Sequence, residues 1–219
     1  MKKLLFLIGM IGFLMPAIAQ NTDFPYYHQR TSLFEKLPAS PDDIIFIGNS
    51  ITNGGEWFEL FDNKNVKNRG INADTAPGVY DRLDQIVKGK PAKIFLLIGI
   101  NDLSRGTSPD SIVGYIERIT RKIKADTPQT RLYIQSLLPV NDQFEMYAGH
   151  VSRWKEVPVI NDKLKAMAVK EQVMYIDLFS HFKEKDSDKM DIQYTNDGLH
   201  LMGDGYFKWV EVIRPYVEE

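Results

Sequence analysis

The feature that most constrains this chain is a set of short segments that are apolar at almost every position. Asp43–Gly48 holds Ile44, Ile45, Phe46 and Ile47 in a row, and Ile94–Gly99 holds Ile94, Phe95, Leu96, Leu97 and Ile98. A strand with one face in water alternates apolar and polar residues, so an unbroken apolar strand needs cover on both faces. Parallel sheets meet that need, because each crossover between neighbouring strands is a helix laid on one face or the other. Arg131–Leu137 and Val173–Leu178 supply two more such segments, and Lys64–Arg69 a shorter, more polar one that suits a sheet edge.

The stretches between them carry helical spacing. Ala76–Lys88 has Val79, Leu83, Ile86 and Val87 three and four residues apart. Ser108-Pro109 followed by Ile112, Ile116, Ile119 and Ile123 predicts a capped helix with one apolar face. Val157–Lys170 and Gly205–Val217 repeat the pattern, and residues 21–40, with Phe24, Tyr26, Tyr27 and Phe34, form an ordered lead-in. Phe207, Trp209 and Tyr216 are expected to pack on the core. The prediction is one α/β domain with five parallel strands and helices on both faces, its ligand site beyond the carboxyl ends of the strands.

Composition narrows the chemistry. The 219 residues contain no cysteine, which excludes a disulfide framework, a zinc–thiolate site, an iron–sulfur cluster, a cysteine nucleophile and a lipid anchor on an N-terminal cysteine. A formal charge of -2 gives no bulk attraction to nucleic acid. Lys2 and Lys3, the apolar run from Leu4 to Met15, Pro16 and Ala17-Ile18-Ala19 have the layout of a secretory signal peptide ending at residue 19. The run is shorter than the ~20 residues a membrane span needs. Its removal takes two lysines and no acids, leaving residues 20–219 as one domain with 25 basic and 29 acidic groups, net -4. No second run of spanning length follows. The expectation is an exported chain, periplasmic or extracellular, without stable membrane insertion. Oligomeric state is not legible.

Four polar motifs fall at or near the ends of these elements. Gly48-Asn49-Ser50-Ile51-Thr52 follows the first strand, where a serine on a strand-to-helix turn is exposed and backed by free N–H groups. Taken alone, Gly-Asn-Ser is ordinary turn chemistry, and helix capping by Ser50 is the better reading of it. Asn68-Arg69-Gly70-Ile71 places a glycine where backbone can approach a ligand. Gly99-Ile100-Asn101-Asp102 offers an uncharged amide donor for an oxyanion, with capping as the bland alternative. In Asn196-Asp197-Gly198-Leu199-His200, a carboxylate three residues before a histidine can accept from Nδ1–H and leave Nε2 as a base. Asp74 lies close by in sequence, and capping accounts for it as well as for Asp102. His28, His150 and His181 lack metal-binding spacing and suit surface or structural roles, so no metal or cofactor is expected.

Taken together and in this order, the motifs resemble the SGNH (GDSL-type) hydrolase superfamily. Gly48-Asn49-Ser50-Ile51 resembles the nucleophile block, Gly70 the second block, Gly99-Ile100-Asn101-Asp102 the third and Asp197-Gly198-Leu199-His200 the last. The resemblance implies a three-layer α/β/α sandwich with a five-stranded parallel, flavodoxin-like sheet, and metal-free esterase activity. It implies Ser50, Asp197 and His200 as catalytic triad, with an oxyanion hole from Ser50 N–H, Gly70 N–H and the Asn101 amide. One departure stands out: the nucleophile block commonly reads Gly-Asp-Ser, and position 49 here is Asn.

The segment from Pro139 to Pro158 is long for a loop in a compact domain and carries Asn141, Asp142, Phe144, Tyr147, His150 and Trp154. Aromatics mixed with polar groups suit a sugar ring, and they also suit a surface loop packed onto the domain. Asn49, Asp102, Tyr147 and Trp154 are the candidate substrate contacts. The expected function is removal of short acyl groups, chiefly acetyl, from carbohydrates such as O-acetylated sialic acid or polysaccharide. The alternatives are a lysophospholipase, platelet-activating-factor acetylhydrolase-like or thioesterase activity on lipids, and a catalytically silent glycan-binding protein of the same fold.

Overall fold

The structure is a computed structural model and describes residues 24–219. The segment expected to be a signal peptide lies outside the described residues. Five strands, β1 (Ile44–Gly48), β2 (Val66–Gly70), β3 (Lys93–Leu97), β4 (Arg131–Gln135) and β5 (Met174–Ile176), form one sheet in the order β2-β1-β3-β4-β5. Every pairing is parallel. The polar segment at 66–70 is an edge strand, as its composition requires. β1 and β3 are buried at all five positions.

In chain order the helices are α1 (Pro25–Lys36), α2 (Ser50–Asn53), α3 (Trp57–Phe61), α4 (Ala76–Asp81), α5 (Leu83–Val87), α6 (Ile100–Ser104), α7 (Pro109–Asp126), α8 (Ala148–Val151), α9 (Glu156–Glu171), α10 (Phe179–Phe182) and α11 (Gly203–Glu218). α4, α7 and α9 form a contiguous layer on one side of the sheet, and α3 and α11 pack together on the other. The order of the sheet reverses direction between β1 and β3, which makes the gap between their carboxyl ends the topological switch point.

α7 follows the sequence closely. Ser108 caps it through Oγ, which accepts from Ser111 N–H at 3.2 Å, and Pro109 opens it. Ile112, Ile116, Ile119 and Ile123 are its buried face. On the α11 side, Phe46, Phe95 and Tyr133 sit in register on β1, β3 and β4 and stack with centroids 4.9 and 4.5 Å apart. Trp57 of α3 stacks on Phe46 at 4.4 Å and meets Trp209 of α11 edge-on at 4.8 Å. This column fixes α3, and with it the turn that carries Ser50, against the sheet.

Two sequence expectations need correction. Ala76–Lys88 is two helices rather than one, broken at Arg82, whose guanidinium turns inward instead of lying along a helix surface. Phe207 is exposed, whereas Trp209 is fully buried and Tyr216 partly so. The lead-in is a helix, α1, whose Tyr27 and Phe34 bury against Ile71. Tyr27 Oη donates to the Gly78 carbonyl at 2.8 Å, tying α1 to α4.

Candidate active site

Ser50 is the first residue of α2, immediately beyond β1. Asn49 N-caps that helix: its Oδ1 accepts from Ile51 N–H at 3.0 Å. The turn is tight because Gly48 has no side chain; a Cβ there would lie 2.4 Å from the Leu97 carbonyl. The N–H of Ser50, at the first helical position, has no acceptor within the helix and points where an anion is favoured.

Ser50 Oγ lies 2.9 Å from His200 Nε2, across 150 residues of sequence. His200 Nδ1 lies 2.8 Å from Asp197 Oδ2. The other carboxylate oxygen of Asp197 accepts from the backbone N–H groups of Leu199 and His200 at 2.8 and 2.7 Å. Burial alone would raise the Asp197 pKa. The backbone donors, the His200 hydrogen bond and its charge outweigh burial and hold it below the usual carboxylate value. Asp197 therefore stays ionised and keeps His200 in the tautomer whose Nε2 can take a proton from Ser50.

The turn bearing Asp197 and His200 depends on Gly198, whose φ of 83° is left-handed and whose missing side chain leaves room for the Asn141 carbonyl, 2.3 Å from a built Cβ. Thr195 Oγ1 accepts from Gly198 N–H at 2.9 Å, and Asn141 N–H donates to the Gly198 carbonyl at 2.9 Å. The long segment after β4 is thus bound to the turn that carries Asp197 and His200. Tyr147 from the same segment stands edge-on to the His200 ring, centroids 4.9 Å apart.

Asn101, the second residue of α6, reaches the switch point from β3. Its Nδ2 donates to the Asp74 carbonyl at 2.8 Å, and its Oδ1 meets His150 Nε2 at 2.8 Å. One Nδ2 hydrogen remains beyond the Asp74 bond.

The structure brings together Ser50, Asp197, His200 and Tyr147 and corrects four other expectations. Gly70 does not present a free donor: its N–H is bonded to Asn68 Oδ1 at 2.8 Å. Its lack of a side chain serves packing, because a Cβ would lie 2.3 Å from Asn53 N in α2. Asn49 is fully buried, and its side chain acts as a helix cap rather than lining an open surface. Asp102 is likewise buried, and both its carboxylate oxygens lie 3.1 Å from Ala76 N, at the start of α4. Trp154 makes no contact with the triad among the described residues. It lines a separate cavity of about 520 Å³ with Lys183, Lys185, Asp186, Ser187 and Asp188.

Burial is the main cause that pushes the Asp102 carboxyl up to about 6, with the charge of Asp74 adding to it and the Ala76 N–H opposing. Its folded pKa lies above the ordinary value of 3.8, so the fold favours the protonated form. That contribution is fully present below pH 4 and is lost as pH rises through about 6, a change of about 3 kcal/mol. Asp102→Asn should remove it. Urea unfolding should show the variant gaining about 3 kcal/mol on the wild type between pH 4 and pH 7. A difference that stays constant with pH would contradict this.

Several residues of the site were not legible in the sequence. Arg82 Nε donates to Asp74 Oδ2 at 2.9 Å with both side chains buried, and Nη2 reaches the Gly48 carbonyl at 3.4 Å. Asn68 Nδ2 reaches the carbonyls of Thr52, Asn53 and Gly55, anchoring the end of α2. Ala73 adopts a left-handed φ of 59°, and its carbonyl accepts from Arg105 Nη2 at 2.9 Å. His150 was expected to be structural or superficial, yet it touches Asn101. The only advance signal was its place in the long 139–158 segment.

The chain resembles known proteins in sequence and in fold. The profile of the GDSL-like lipase/acylhydrolase family matches residues 46–207. Platelet-activating factor acetylhydrolase IB subunit alpha2 of Gallus gallus is 30% identical over 175 residues, covering 76% of this chain and 72% of the relative. A Streptococcus pneumonia protein, provisionally assigned as a platelet activating factor, superposes with a TM-score of 0.80 at 26% identity, over 88% of this chain and 92% of that one. An acetylxylan esterase of Geobacillus stearothermophilus shares the fold, with a TM-score of 0.65 at 16% identity over 83% of this chain and 96% of its own.

Proposed function

Because the chain belongs to the GDSL-like lipase/acylhydrolase family of carboxylic ester hydrolases, we propose that it is an exported serine esterase that removes short acyl groups, chiefly acetyl, from carbohydrates. The observation that carries the catalytic part is the continuous relay Ser50 Oγ–His200 Nε2, His200 Nδ1–Asp197 Oδ2, at 2.9 and 2.8 Å.

Ser50 Oγ attacks the ester carbonyl while His200 takes its proton, and Asp197 stabilises the imidazolium that forms. The carbonyl oxygen becomes an oxyanion facing Ser50 N–H and the remaining hydrogen of Asn101 Nδ2. His200 then gives its proton to the departing alcohol oxygen. Water, activated by the same histidine, attacks the acyl-serine and releases the acid, returning Ser50 to its starting state.

The acetyl preference is supported by a relative that is an acetylhydrolase and a structural neighbour that is an acetylxylan esterase. The carbohydrate preference rests on the aromatic and polar residues of the 139–158 segment, and export rests on the pattern of residues 1–19. Among the described residues no helix is long and apolar enough to cross a membrane. An acetylated lipid is the second reading, favoured by the 30% identity to the avian acetylhydrolase.

Two steps test the proposal. On p-nitrophenyl esters, kcat/KM should fall at least ~10-fold from acetyl to octanoyl, the loss of about 1.4 kcal/mol of transition-state stabilisation. A preference for octanoyl would reject the short-acyl reading. Acetate release should then be greater from O-acetylated sialic acid or acetylated polysaccharide than from an acetylated lysophospholipid; the reverse order would favour the lipid reading.

A further inference from the structure

The structure assigns His150 a role in that reaction: we propose that its Nε2–H is the positioning group that holds the Asn101 carboxamide in the one orientation able to stabilise the oxyanion. The inference rests on reading this site as that of an ester hydrolase.

The carboxamide has two ends and both are engaged. Nδ2 faces the Asp74 carbonyl at 2.8 Å and Oδ1 faces His150 Nε2 at 2.8 Å. Rotating the amide by half a turn would set Oδ1 against the Asp74 carbonyl, two acceptors with no proton between them. The Asp74 carbonyl thus fixes which end is nitrogen, and Oδ1 must then receive a proton from His150. That requires the Nε2–H form of the imidazole. With Oδ1 and one Nδ2 hydrogen both committed, the second Nδ2 hydrogen has a fixed direction.

The imidazole is itself held. His150 lies on α8, its backbone N–H donating to the Tyr147 carbonyl at 2.8 Å. Tyr147 stands edge-on to the His150 ring at 5.9 Å and edge-on to the His200 ring at 4.9 Å. One tyrosine therefore braces both the base and the group that orients the oxyanion donor. Burial lowers the His150 pKa, the charges of His200 and Arg105 act the same way, and Asp197 opposes them. The neutral imidazole is the favoured form at neutral pH. Asn101 is almost completely buried, so without His150 its Oδ1 would lack a donor and the amide would lose its directional restraint.

Losing an oxyanion donor outright costs roughly 10²–10³-fold in kcat. Losing only its orientation should cost less. His150→Leu, which preserves bulk, and His150→Ala should each lower kcat roughly 10–100-fold on p-nitrophenyl acetate with KM within about 2-fold. His150→Gln places an amide nitrogen close to the position of Nε2 and should recover most of that loss. Asn101→Ala combined with His150→Leu should be no slower than Asn101→Ala alone by more than about 2-fold, since one residue acts through the other.

A purely structural role would give additive losses and no recovery with Gln, which would overturn the proposal. A readout without turnover keeps the two claims apart. In ¹⁵N-labelled protein the Asn101 side-chain amide pair, identified by its disappearance in Asn101→Ala, should shift in His150→Leu and return in His150→Gln. Failure of the wild type to hydrolyse any ester would reject the proposed function, while the amide pair would still decide the role of His150. Unchanged amide signals in His150→Leu would overturn it.

Discussion

Arg82→Met should lower the folding free energy by about 3–5 kcal/mol, a large part of the 5–15 kcal/mol typical of a domain. The reason is not the strength of the ion pair but what its loss leaves behind. Arg82 and Asp74 have side chains only 1% and 0% exposed, with Nε 2.9 Å from Oδ2. Methionine fills much of the volume but leaves the Asp74 carboxylate buried without its cation. It also withdraws the donor to the Gly48 carbonyl, immediately before the nucleophile turn. Pairing Arg82→Met with Asp74→Leu should recover part of the loss, because an apolar pair of similar volume removes the orphaned charge. Urea denaturation of the three variants checks this. A single-variant loss under about 1 kcal/mol would mean that water reaches Asp74 and the pair is not the anchor described.

The effect should extend to catalysis. The backbone carbonyl of Asp74 accepts from Asn101 Nδ2, so the ion pair that seats Asp74 also seats the oxyanion donor. Arg82 touches neither the base nor the nucleophile, yet its removal bears on the turn after β1 through the Gly48 carbonyl and on Asn101 through Asp74.

Ser50→Ala should lower kcat about 10⁴–10⁶-fold, the largest effect expected of any substitution here. Alanine keeps the α2 N-terminus and its N–H but removes the atom that bonds to the acyl carbon. His200→Ala should cost about as much, because Ser50 Oγ is a weak nucleophile until His200 accepts its proton. The double variant should be no worse than either single one, since the two act as a unit. A residual rate above that in water should survive in all three, supplied by Ser50 N–H, Asn101 and substrate binding, which these changes leave in place.

Much of this architecture was written in local patterns. Ile44–Ile47 and Ile94–Leu97 declare strands covered on both faces, and Ser108-Pro109 with isoleucines at 112, 116, 119 and 123 declares the start and the buried face of α7. The residues of the candidate site were legible because Ser50 and Asn101 follow strand ends, and Asp197 and His200 are close enough in sequence to share a turn. What stayed hidden depends on contacts between distant segments. Nothing local in Ala76–Lys88 shows that Arg82 must leave the helical path to meet Asp74 in the interior. Nothing local near Asn68 shows that its side chain would occupy the Gly70 N–H and thereby reassign that glycine from donor to packing space. His150 meets Asn101 across 49 residues, and Asp102 faces Ala76 across 26. A motif marks where a residue stands on the chain, whereas its partner is set by how the 139–158 segment folds back over the strand ends.

The central claim is that Ser50, activated by His200, is the nucleophile of an ester hydrolase. Its most direct test is the steady-state kcat of purified, folded Ser50→Ala on p-nitrophenyl acetate beside the wild type. The account predicts clear wild-type turnover and a variant slower by about 10⁴-fold or more. A Ser50→Ala protein that turns over at the wild-type rate would contradict it.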